Sequence, residues 1–212
     1  MVKIGARDRP AIPEPLHDVR MTKPSVAGNA RLTGTFGAVI FVLLFAEGVT
    51  ILRVNDLISA HVFVGVLLIP FVAVKIASTG YRFARYYTGH KAYGEKGPPP
   101  SVLRLLGPVV TVMTVAVLAT GVATVLDRGS GPLAFAHKAS FVVWFAAMTL
   151  HVLGHALETP ALVFADWRRS SRAQAPGAPF RIVALATAAG VAVALAVASL
   201  GWAHHWSRLA GH

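Results

Sequence analysis

The chain has 212 residues, 55% of them apolar, and a formal net charge of +11 with no cysteine. The missing thiols exclude disulfides, iron–sulfur clusters, thiolate metal sites and covalent haem attachment through CxxCH. There is also no Walker or dinucleotide-binding glycine motif. The positive charge alone would suit nucleic acid, but its distribution along the chain argues against such a partner.

In chain order, residues 1–31 lack the apolar run of a secretory signal. Their charge and proline content predict a flexible cytoplasmic tail. Five apolar stretches follow, Leu32–Arg53, Leu57–Ala77, Leu103–Leu126, Leu133–Leu157 and Ile182–Ala203. Each has the ~20 residues that a helix needs to cross ~30 Å of hydrocarbon. The expected fold is therefore all-α and polytopic. NDL joins spans one and two, and DRGSG joins spans three and four. Connections this short predict antiparallel hairpins, so residues 32–157 are expected to form a four-helix transmembrane bundle.

The loop STGYRFARYYTGHKAYGEKGPPP (78–100) has an aromatic, basic first half that suits continuation of span two along the interface. GEKGPPP then ends any helix. Residues 158–181 form a second loop on the same side. Residues 182–212 supply an Ala- and Val-rich fifth span, expected at the periphery, and a short outer tail.

Basic residues crowd the tail and these two loops, leaving Arg53, Arg128, Lys138 and Arg208 on the other side. The positive-inside rule then places the N-terminus in the cytoplasm and the C-terminus outside a cell membrane. The charge thus reports topology and contact with anionic lipid rather than nucleic acid.

Chemistry enters with the histidines. Spans two and four run in the same direction, and His61 and His137 each lie about one turn from the start of their span, ~6 Å inside the boundary. Two imidazoles at one depth on neighbouring helices are what a bis-histidine haem b requires, so His61 and His137 are its expected ligands. Gly65, one turn below His61, would let a porphyrin approach the backbone. Thr120 and Gly121 of span three reach the same depth, and Phe141 and Trp144 lie below His137. Arg53, Arg128 and Lys138 at the rim are candidates for propionate pairing. Glu47 is a candidate acceptor for the outer N–H of a ligand histidine. Each residue also has an ordinary reading as helix-packing or interface polarity.

His151 and His155 lie 14 and 18 residues beyond His137, which is ~21 Å or more deeper and near the same helix face. A second haem would need a partner histidine at the matching depth of span two, where Lys75 and Thr79 stand instead. With Lys75, Tyr81, Arg82, Arg85 and Glu158, the pair is expected to form a polar cluster at the cytoplasmic end. That cluster suits quinone or proton exchange, a small metal site, or simple hydrogen bonding at a wet interface.

The placement of His61 and His137 in a four-span core resembles the transmembrane b-type cytochromes of hydrogenases and formate dehydrogenases. The resemblance covers roughly residues 32–157. It implies a membrane-embedded electron carrier, or oxidoreductase subunit, that exchanges electrons with quinone and a redox partner protein. It departs from two-haem members at Lys75. The contrasting expectation is a non-redox membrane scaffold or assembly subunit that recruits a partner through the basic loop. A stand-alone enzyme built on HVLGH and Glu158 lacks enough ligands. Oligomeric state is left open by the sequence.

Overall fold

The structure is a computed structural model that describes residues 17–95, 101–127, 131–155 and 177–209. Among these residues there are six helices: α1 (His17–Leu52), α2 (Val54–Tyr87), α3 (Lys91–Glu95), α4 (Ser101–Leu126), α5 (Gly131–His155) and α6 (Ala178–Leu209). Among the described residues there is no strand. Five candidate membrane spans run Val26–Leu52, Val54–Tyr87, Arg104–Leu126, Gly131–Gly154 and Ala178–Gly201. Large apolar side chains point outward all around them, with Leu52, Phe45 and Phe135 each more than 70% exposed. Water would not tolerate such a surface, whereas hydrocarbon is its natural solvent. The chain is an all-α polytopic membrane protein.

The helices divide into two units. In one, α1 and α6 both lie against α2; in the other, α4 and α5 form a hairpin. The hairpin meets the first unit mainly through a light contact between α2 and α4, and α5 has at most marginal contact with any helix but α4. The expected four-helix packing is therefore uneven, with two close-packed pairs and a loose junction between them.

The core lies in the first unit. Phe36 of α1 has no solvent exposure and meets Phe71 of α2 with ring centroids 6.0 Å apart. Ile40, Leu68 and Val72 surround the pair, together with Ala188 and Ala192 of α6. The fifth span is thus more than the peripheral element expected from its composition. Ala188, Ala192 and Ala196 recur every four residues, and all are buried. Such a small-residue ridge lets two backbones approach closely in a bilayer, where packing rather than water exclusion drives association.

Two boundaries differ from the sequence reading. Helix α1 begins at His17, inside the stretch expected to be a flexible tail, and Asn29 already reaches across to α2, its Nδ2 donating to the Ser78 carbonyl at 3.1 Å. Helix α2 runs ten residues past Ala77 to Tyr87, so the first half of the basic loop does continue span two. The α1–α2 turn is tight. Arg53 alone separates the helices, and Leu57 leaves helical geometry at φ −112°, ψ 20°. The carbonyl of Arg53 accepts from the amides of Asp56 and Leu57, which starts α2 again.

Candidate functional site

His61 stands on α2 just after this turn, facing the junction between the two units. Its Nδ1 lies 3.1 Å from Glu47 Oε1 and 3.0 Å from Thr50 Oγ1, both on α1. The turn determines this meeting: a one-residue break folds α2 back so that its second turn faces the last turns of α1. Thr50 donates its hydroxyl to the Glu47 carbonyl at 2.6 Å, which leaves its oxygen lone pair to accept. The Nδ1–H of His61 thus has two acceptors, one of them a carboxylate.

His137 stands on α5 and is held by α4. Its Nδ1 is 3.0 Å from the Val117 carbonyl and 3.3 Å from Thr120 Oγ1. A carbonyl can only accept, so Nδ1 must carry the proton and Nε2 the lone pair. Gly121 makes this contact possible: a Cβ there would lie 3.0 Å from His137 Cε1. The α4–α5 hairpin is pinned further down, where Trp144 Nε1 donates to Thr114 Oγ1 at 2.9 Å.

The two imidazoles face each other across the loose junction. Their ring centroids are 6.3 Å apart and their planes are inclined at 68°. Among the described residues neither Nε2 makes a hydrogen bond, because every polar contact of both rings falls on Nδ1. Two neutral imidazoles, each with Nδ1 held by a protein acceptor and Nε2 unbonded among the described residues, are a donor set that would suit a haem iron, with no thiolate to compete.

The other expected site residues fall in different places. The space beside Gly65 goes to Glu47, whose Oε1 would sit 3.3 Å from a Cβ there, so this glycine admits the carboxylate. Arg53 lies at the rim, 3.6 Å from Asp56, with both side chains more than 70% exposed. Lys138 is exposed on the first turns of α5, and Arg128 lies outside the described residues. Phe141 stacks at a tilt with Trp144, with centroids 6.0 Å apart. Thr50 and the Val117 carbonyl were not singled out from the sequence. The Thr50 hydroxyl, three residues after Glu47, was the available signal; a backbone carbonyl leaves none.

Of the expected second cluster, Lys75 and His151 lie among the described residues. Lys75 turns toward α1, where its Nζ donates to the Thr33 carbonyl at 3.2 Å. Gly37 makes room for it, since a Cβ there would meet Nζ at 2.9 Å. Ser78 and Thr33 complete this seam, their hydroxyls 3.0 Å apart. His151 is partly buried on α5, while the His155 side chain and Glu158 lie outside the described residues. Among the described residues, no group of three His, Cys, Asp or Glu is placed to hold a metal ion.

No family model, curated protein or solved structure matches the chain.

Proposed function

We propose that the protein is a membrane-embedded b-type cytochrome component that holds one haem b between His61 and His137. The observation that carries this reading is the edge-on pair of imidazoles, with centroids 6.3 Å apart, each with Nδ1 engaged and Nε2 unbonded among the described residues. A pair of histidines serving only as packing polarity would be expected to use both nitrogens or to bond each other, because an unsatisfied polar atom in a bilayer is costly. A non-redox scaffold gives no reason for the arrangement.

Bound there, a haem supplies reversible one-electron iron chemistry. The chain's own contribution is to orient and tune. Val117 fixes the tautomer of His137. Glu47 and Thr50 hold the His61 ring and increase the electron density at its Nε2. Arg53 and Lys138, at the same end, are available to anionic propionates. Lys75 and Thr79, standing where span two would have to supply a second partner histidine, support a single haem near one face. On the orientation inferred from charge, that face is the outer one of a cell membrane. Exchange with quinone, or with a redox partner protein, then completes the path across the membrane.

The test is a visible spectrum of the detergent-purified protein, oxidised and dithionite-reduced, with extracted haem counted per chain. One six-coordinate low-spin haem b, lost in both His61→Ala and His137→Ala, is the expected result. A colourless protein from haem-replete cells, or haem retained by the double variant, overturns the proposal.

A further inference from the structure

At the far end of α2 the chain reverses. The amide of Thr88 donates to the Ala84 carbonyl at 2.9 Å and that of His90 to the Arg85 carbonyl at 3.1 Å. Gly89, at φ +75°, takes the left-handed conformation that this helix end requires. The reversal brings the short helix α3 back against α1 and α2. Ala92 and Tyr93 are buried by it, Tyr93 to within 4% of full burial.

Polar groups gather beneath this flap. The His90 ring meets Tyr93 edge-on at 5.6 Å, Tyr81 meets Tyr93 at 6.2 Å, and the Arg85 guanidinium lies 5.7 Å from the Tyr81 ring centre. Arg85 Nε, His90 Nδ1 and the Tyr93 hydroxyl are all shielded from solvent, and among the described residues none of the three has a hydrogen-bond partner. A well-packed protein leaves few such atoms, and three in one place call for an explanation. Burial and the neighbouring Tyr81 push the Tyr93 phenol above its usual range, against the opposing pull of Arg85 and Arg82. It therefore remains a protonated donor at neutral pH.

What the three atoms lack is an acceptor. Arg85 Nε–H can only donate, Tyr93 donates its hydroxyl, and His90 donates from Nδ1 in the matching tautomer. Arg82 adds positive charge nearby. A ligand with several anionic oxygens is the chemistry that such donors call for, and planar guanidinium groups favour phosphate. Phe83 and Tyr87, both more than half exposed, flank the site on α2. Aromatic side chains of this kind mark the level of the lipid headgroups.

We propose that Arg85, His90 and Tyr93 form a receptor for a phosphate group at the membrane surface. The site is independent of the histidine pair near the other end of α2, so it stands or falls separately from the haem reading. A lipid phosphodiester and free phosphate share the required chemistry, and the test separates them.

Native mass spectrometry of the full chain, released from detergent after equilibration with phosphatidylglycerol, phosphatidylcholine or inorganic phosphate, reads the bound species directly. Wild type should retain one tightly held phosphate-bearing adduct. Arg85→Gln should weaken it about tenfold, and the shape-conserving Tyr93→Phe by a smaller factor. Lys91→Gln, which alters an exposed charge on the same flap, should leave it unchanged. An adduct with phosphatidylglycerol alone identifies an anionic lipid as the ligand; one with inorganic phosphate as well identifies a receptor for the free anion. Absence of any adduct in wild type overturns the proposal. So does retention unaffected by Arg85→Gln and Tyr93→Phe, or an equal loss in Lys91→Gln.

Discussion

Two polar zones interrupt the apolar interior on opposite sides of Pro70 in α2, and they are built differently. In the seam around Lys75, polar groups meet each other directly. Lys75 donates to Thr33, Thr33 meets Ser78, and Asn29 donates to the Ser78 carbonyl. All of these contacts join α1 to α2, so the zone acts as glue within one close-packed unit. Around His61 and His137, by contrast, each ring is fixed on one nitrogen by its own hairpin while the other nitrogen makes no bond among the described residues. This second zone spans the loose junction between the units. A seam whose polar groups bond one another does not call for a ligand, whereas two imidazoles that each keep a nitrogen unbonded among the described residues are suited to a shared one. The distinction lies in how the polar atoms are paired, since both zones place costly groups in hydrocarbon.

The sharpest way to break this contrast is at Gly121. Replacing it with Leu drives a side chain into the space occupied by the His137 ring, where even a Cβ would approach to 3.0 Å. We expect haem content to fall to background while far-UV circular dichroism stays helical. Retained haem would mean that His137 is not held as described.

The next largest effect is at Glu47. Glu47→Ala leaves the His61 ring with Thr50 as its remaining acceptor and opens a void beside Gly65. Loss of such an outer partner lowers metal affinity by about 10–100-fold. The midpoint potential should also rise, because a less electron-rich imidazole stabilises the oxidised iron less. Haem titration and redox potentiometry measure the two effects. An unchanged potential would limit the carboxylate to a packing role.

The seam should respond in the opposite way. Gly37→Ala crowds Lys75 Nζ, at the flexible end of its side chain, and weakens its bond to the Thr33 carbonyl. Weakening one such hydrogen bond costs about 1 kcal/mol or less. A lower Tm in detergent, with an unaltered haem spectrum, is the expected outcome. A spectral change would show that the two zones are coupled through α2.

Much of this contrast was legible from residue spacing. Depth along a helix follows from counting, so the level shared by His61, His137, Glu47 and Thr120 could be read directly. Rotation about the helix axis could not. Lys75 has the depth expected for a partner of His151, yet it faces α1, and Pro70 lies between it and His61 where a helix bends. The role of α6 was hidden for a related reason. In a span that is apolar all round, hydrophobic periodicity carries no direction, and small-residue spacing does not choose either. Ala186, Gly190, Ala194 and Ala198 repeat every four residues as Ala188, Ala192 and Ala196 do, yet only the second set is buried. Backbone acceptors such as the Val117 carbonyl have no signature in side-chain chemistry.

Thr50 provides the finest test of how His61 is held. Thr50→Val keeps the shape of a buried side chain and removes only the hydroxyl, so no cavity forms. The Nδ1–H then loses the acceptor at 3.0 Å and keeps Glu47 at 3.1 Å. One hydrogen bond among two to the same donor is worth at most about 1 kcal/mol, so haem affinity should fall only a few-fold. Combining Thr50→Val with Glu47→Ala removes both acceptors, and the loss should exceed the sum of the single effects because each residue compensates for the other. Strict additivity would mean that the two act on His61 independently. A Thr50→Val effect as large as that of Glu47→Ala would make the hydroxyl, rather than the carboxylate, the group that orients the ring.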